Sequence, residues 1–103
     1  MLPLIEARRA EIADLCRRFH VRRLEVFGSA ARGTDFDPAR SDVDLLVTYE
    51  REIPAPSLAD YFDLSEGLTA LLGRKVDLVM SGAVRNPFIR ADIDRWKQPV
   101  YAA

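Results

Sequence analysis

Gly28-Ser29-Ala30-Ala31-Arg32-Gly33, followed a few residues on by Ser41-Asp42-Val43-Asp44-Leu45, is the stretch whose reading decides the fold. The small-residue turn closes one apolar segment, Leu24, Val26 and Phe27. A second, Val43, Leu45, Leu46 and Val47, opens with two carboxylates separated by a single residue. The first pattern marks a strand that stops where glycine lets the backbone turn, and the second marks a buried strand. Side chains two apart on a strand share a face, so Asp42 and Asp44 project together while Val43 and Leu45 point into the core. Two ionised carboxylates so placed repel, and each is costly to take from water unless a cation or hydrogen bonds offset it. The pattern therefore asks for something positive. Hard oxygen donors of this kind suit magnesium, which keeps waters and takes further ligands from substrate phosphates.

A third acid, Asp77, lies inside another apolar run, Lys75-Val76-Asp77-Leu78-Val79. If that strand pairs beside 42–48, Asp77 reaches the same edge and completes a site able to activate an attacking hydroxyl. Gly28-Ser29 at a strand end offers free backbone N–H groups and a hydroxyl to phosphate oxygens. It matches neither the Walker pattern, which closes on Gly-Lys-Ser/Thr, nor the dinucleotide Gly-x-Gly-x-x-Gly pattern. The guanidinium fork of Arg32 suits either a triphosphate or a bracing acid.

The rest of the chain supplies the frame. Ile5, Ile12, Leu15, Cys16 and Phe19 recur at helical spacing among charged residues and predict one amphipathic first helix. Strands are expected over 23–28, 42–48 and 75–80. Ser57 caps a helix that ends at Gly73, with Leu58, Tyr61, Phe62, Leu68, Leu71 and Leu72 as its apolar face. Asn86-Pro87 opens a last helix whose inner face reads as Phe88, Ile89, Ile93 and Trp96, before an edge strand or tail from Pro99 to Ala102. Pro54 and Pro56 mark a loop. With 103 residues and 49% hydrophobic content, 1–103 is expected to form one α/β domain with no room for a second substrate-binding lobe.

Other chemistries fare less well. The formal net charge is -1, so the basic excess of a general nucleic-acid binder is lacking. Arg8, Arg9, Arg17, Arg18, Arg22 and Arg23 are interleaved with Glu6, Glu11, Asp14 and Glu25, the pattern of a solvated face. One cysteine, Cys16, forms no internal disulfide, and with one histidine, His20, a His/Cys metal cluster is out by count. His20, just past the first helix, suits a C-cap or the surface; Asp35 and Asp37 read as loop acids. No signal pattern or membrane-length apolar run appears, and a cytoplasmic location is expected.

Together Gly28-Ser29, Arg32-Gly33, Ser41-Asp42, Asp44-Leu45 and Asp77 resemble the Gly-Ser…Asp-x-Asp…Asp pattern of the polymerase-beta-like nucleotidyltransferase superfamily. The short length, Arg85-Asn86-Pro87-Phe88 and the closing Val100-Tyr101-Ala102-Ala103 are similar to its minimal nucleotidyltransferase (MNT) branch. The resemblance implies an α/β (α+β) fold, a small mixed β-sheet with helices packed mainly on one face. It implies ATP as donor, two Mg2+ ions held by Asp42, Asp44 and Asp77, and a nucleotide-binding set of Gly28, Ser29, Arg32 and Ser41. Within that set Gly28 and Ser29 would take the β- and γ-phosphates, and Asp77 would assist the acceptor hydroxyl. Many members of the branch are antitoxins that silence a HEPN-domain toxin by transferring AMP to a tyrosine hydroxyl. The implied function is therefore protein adenylylation within a hetero-oligomer, with neither a membrane nor direct nucleic-acid binding involved. Two other readings stay open: a non-catalytic module that neutralises the toxin by occlusion, and an enzyme acting on a small molecule or an RNA end. The chain departs from its relatives in a longer linker, 34–40, and in Ala30, where many carry arginine.

Overall fold

The computed structural model describes residues 3–32, 42–50 and 57–103, the side chains of Ser29 and Arg32 excepted. Ser41, the 34–40 linker and the Pro54-Pro56 loop lie outside the described residues.

The amphipathic start forms two helices, α1 (Pro3–Ala7) and α2 (Arg9–Arg18), broken at Arg8, which has left helical geometry (φ -112°, ψ 14°). This corrects the expected single helix. Ile5, Ile12 and Cys16 are fully buried all the same, so the apolar stripe runs on across the break. His20 takes a left-handed φ of 59° and turns the chain into β1 (Val21–Phe27). Gly28, also left-handed at φ 66°, turns it again into the short α3 (Gly28–Arg32).

The strand β2 (Val43–Tyr49) runs antiparallel to β1, pairing Val26 with Leu45 and Phe27 with Asp44. The helix α4 (Leu58–Leu72) then carries the chain across the sheet, which lets β3 (Val76–Met80) lie parallel to β2. Both ends of α4 follow their residues. The Ser57 hydroxyl accepts from the Asp60 N–H at 3.1 Å, and Gly73 closes the helix at φ 63°. The Tyr61 hydroxyl donates to the Leu78 carbonyl, pinning α4 to β3.

After a 3-10 turn (Ser81–Ala83) comes α5 (Pro87–Trp96), whose cap Asn86 accepts from the Phe88 and Ile89 N–H groups. Last, β4 (Gln98–Ala102) pairs antiparallel with β1, giving the order β3-β2-β1-β4. Among the described residues no helix is long and apolar enough to cross a membrane.

One face of this mixed sheet carries the core. Leu24, Val26, Val43, Leu45, Val47, Val76 and Leu78 point to that side and meet Ile12 and Cys16 of α2 and Leu64, Leu68 and Leu72 of α4. Burial pushes the Cys16 thiol up to about 12, so it packs as a small apolar group rather than a thiolate.

The opposite face is mixed: Asp44, Leu46 and Thr48 alternate out of the core on β2, and Glu25 lies opposite Leu46 on β1. There Glu25, buried at 6% exposure, meets Arg23 Nε at 3.2 Å and Lys97 Nζ, from just past α5, at 3.6 Å. Lys97 also pairs with Asp94 at 3.0 Å, and that hydrogen bond holds the Asp94 carboxyl below the usual carboxylate range. Arg90 donates to the Ser81 carbonyl at 2.7 Å. Polar contacts thus fasten α5 over this face.

That polarity corrects the expected apolar faces. Of the α5 set only Ile93 is buried, while Phe88 (84% exposed), Ile89 (55%) and Trp96 (40%) stand out in solvent. A sheet face bearing Asp44, Glu25 and Asp77 has too little apolar surface to take a wide stripe. On α4, Leu58 and Phe62 are exposed, and Leu64, absent from the expected set, is fully buried. At 100° per residue Leu58 and Phe62 lie roughly a quarter turn or more from the Leu64–Leu68 line.

Two substitutions separate these classes. Leu68→Ala opens a cavity in the core and is expected to cost about 2–5 kcal/mol in a denaturant melt. Phe88→Ala is expected to stay within about 0.5 kcal/mol of the parent, because the ring is already in water.

Candidate active site

Asp44 sits second on β2 and Asp77 second on β3, and the parallel register makes the two direct partners. Adjacent strands lie about 4.8 Å apart and paired residues share a face, so both carboxylates leave the sheet on the side away from the core. Asp42 immediately precedes β2, two residues from Asp44. The apolar neighbours Val43, Leu45, Val76 and Leu78 are all buried, which sets the register firmly: a slip of one residue would drive them into water and the acids into the core. Burial of the alternate residues is therefore what aims the carboxylates.

The glycine turn is built into the same spot. Phe27 is the cross-strand partner of Asp44, so Gly28, the next residue, comes up against the aspartate. A Cβ on Gly28 would collide with Asp44 Oδ2 and lie 3.3 Å from its Cγ. Two features favour glycine at 28: the left-handed φ, and the Asp44 carboxylate, which any Cβ there would have to displace. The turn and the acids form one cradle.

Asp42 has a cationic neighbour. Its Oδ2 lies 3.8 Å from Lys75 Nζ, with side-chain exposures of 43% and 80%. The Lys75 carbonyl accepts from the Val43 N–H at 3.0 Å, which seats Lys75 level with the head of β2. Among the described residues no three His, Cys, Asp or Glu side chains are drawn together as a ready metal-holding group. The backbone gathers the three acids at one edge, and the carboxylates themselves are spread.

The expected site residues fall out as follows. Asp44 and Asp77 are paired on one face at one end of the sheet, with Gly28 against Asp44, and Asp42 immediately precedes β2. Ser29 and Arg32 lie on α3, their side chains outside the described set, as is Ser41 altogether. The residue missed by the sequence reading is Lys75. The signal was available: Lys75 and Asp77 are two apart in an extended segment, so a cation and an acid share a side.

For a divalent cation the donor chemistry fits, since carboxylates are hard oxygen ligands and Asp44 and Asp77 are paired at one end of the sheet. Opposed carboxylates on neighbouring strands destabilise the pairing by on the order of 1 kcal/mol, a cost that a cation between them would offset.

Comparison with known proteins bears on this arrangement. The model of the nucleotidyltransferase domain family matches residues 10–100. The protein adenylyltransferase MntA of Thermococcus cleftensis is 45% identical over 73 residues, 71% of this chain and 69% of that protein. A solved structure provisionally described as a minimal nucleotidyltransferase superposes with a TM-score of 0.73 at 37% identity, covering 91% of this chain and 90% of the other. At 16% identity, a chain from a complex of tri-AMPylated Shewanella oneidensis HEPN toxin with MNT antitoxin shares the fold, with a TM-score of 0.66 over 96% of this chain and 73% of that one. With the sheet order, the acid-bearing strands and the glycine turn all in place, the chain belongs to the nucleotidyltransferase domain family.

Proposed function

We propose that this protein is an ATP-dependent protein adenylyltransferase, a single-domain cytoplasmic enzyme that transfers AMP to a hydroxyl, a tyrosine hydroxyl of a HEPN-domain toxin partner, and so acts as the antitoxin of a pair. The observation that carries the reading is the direct pairing of Asp44 with Asp77 on parallel strands, with Gly28 packed against the Asp44 carboxylate. Support for the donor and acceptor comes from the adenylyltransferase relative and from the fold shared with a chain of the complex between tri-AMPylated HEPN toxin and MNT antitoxin.

In this reading Asp42, Asp44 and Asp77 hold two magnesium ions. When bound, those ions lower the pKa of the acceptor hydroxyl and neutralise the departing pyrophosphate. The chain's own groups position charge. The Gly28-Ser29 turn offers backbone N–H groups to the β- and γ-phosphates, with the Ser29 and Ser41 hydroxyls and the Arg32 guanidinium completing the nucleotide set. Asp77, on the edge strand and exposed, faces the side from which an acceptor hydroxyl must approach and helps orient it. The acceptor attacks the α-phosphorus in line, the bond to the β-phosphate oxygen breaks, and AMP stays on the acceptor while pyrophosphate leaves.

Radiolabelled ATP with magnesium, given to the protein with and without its HEPN-domain partner, tests the reading. Label is expected on the partner. Silencing of the toxin with no label anywhere would favour occlusion, and label on RNA or a small molecule would move the acceptor to another class.

Asp42→Asn and Asp44→Asn are each expected to lower transfer by at least 100-fold while leaving the melting temperature unchanged or raised, because amide replacement relieves carboxylate repulsion. A variant retaining near-normal transfer would remove that residue from the ligand set. Gly28→Ala should lower nucleotide affinity more than 10-fold in a calorimetric titration. The strain of a left-handed alanine and the displaced Asp44 carboxylate fall on the site, so the cost to folding should be only about 1–2 kcal/mol.

A further inference from the structure

Lys75 stands at the head of β3, two residues beyond the left-handed Gly73 that stops α4. Two observations tie it to the acid edge. Its carbonyl accepts from Val43 N–H, so its Cα is locked level with the head of the strand that carries Asp44. Its ammonium lies 3.8 Å from Asp42, and the three acids are not drawn into one group.

We propose that Lys75 is a built-in counter-ion that engages the Asp42 carboxylate and is displaced when a divalent cation is taken up, so that Lys75 and the metal compete for Asp42. The proposal rests on the nucleotidyltransferase reading above and adds a positioning residue to it. The pair suits such exchange. At 3.8 Å, with Lys75 80% exposed, it is a weak solvated contact of the kind a divalent ion readily replaces. A single ammonium neutralises one carboxylate, whereas a divalent ion held by Asp42 and a neighbouring carboxylate would offset more than one negative charge. The stem of Lys75 is flexible and its charge compact, so it can leave Asp42 without moving β3.

The test is a titration of the nucleotide-free protein with Mn2+ into the millimolar range, read by the electron paramagnetic resonance signal of the free ion. Parent, Lys75→Met, Lys75→Gln and Lys75→Arg are compared, with Asp44→Asn as the site control and circular dichroism to check the fold. Lys75→Met and Lys75→Gln are expected to bind Mn2+ about 3–10-fold more tightly, and Lys75→Arg to stay near the parent because it keeps the charge. In metal-free buffer the two neutral variants should melt below the parent, and added Mn2+ should raise their melting temperature by more. Unchanged Mn2+ affinity in both neutral variants would overturn the role of Lys75 and leave the metal site standing. Parent binding no more Mn2+ than Asp44→Asn would overturn the metal site itself, and with it the enzymatic reading.

Discussion

Repulsion between like charges is the constraint around which this molecule is arranged. Asp44 and Asp77 face each other across adjacent parallel strands, with Asp42 two residues from the first, and no fold would gather them for stability alone. The hydrophobic effect holds the arrangement together from behind. Val43, Leu45 and Val47 of β2, with Val76 and Leu78 of β3, lie in the core beneath α2 and α4, and their alternation obliges the intervening residues to face the other way. The energy that orders the site is thus supplied on the face where no chemistry happens.

That division of labour explains the uneven helix packing. The helices α2 and α4 cover the core face and bury their apolar stripes. On the other side α5 is fastened by Glu25, Lys97, Asp94 and Arg90 and buries little besides Ile93. The exposed Phe88 and Ile89 follow from a sheet face that must stay polar where the acids emerge. At Gly28 the backbone turn comes up against the Asp44 carboxylate, which any Cβ there would displace.

Much of this was legible in local patterns. Ser57 and Gly73 bound α4, and Asn86-Pro87 opens α5, because capping depends on residues a few positions apart. The period of two at 42–47 identified the strand and put Asp44 out of step with its buried neighbours Val43 and Leu45. What failed involved choosing among apolar residues on one helix. Leu58, Phe62, Phe88 and Trp96 look like core by type, and only the extent and polarity of the opposing surface show that they are not.

By itself the sequence determined the caps of α4 and α5, the alternation that marks β2 and the glycine turn, since each follows from torsional preference and periodicity within a short window. Tertiary structure alone decided that β3 lies parallel and in register with β2, that Gly28 meets Asp44, and that Lys75 reaches Asp42. Those contacts join residues far apart along the chain. Their geometry is settled by burying Val43, Leu45, Val76 and Leu78 together, a condition on the whole sheet that no local stretch contains.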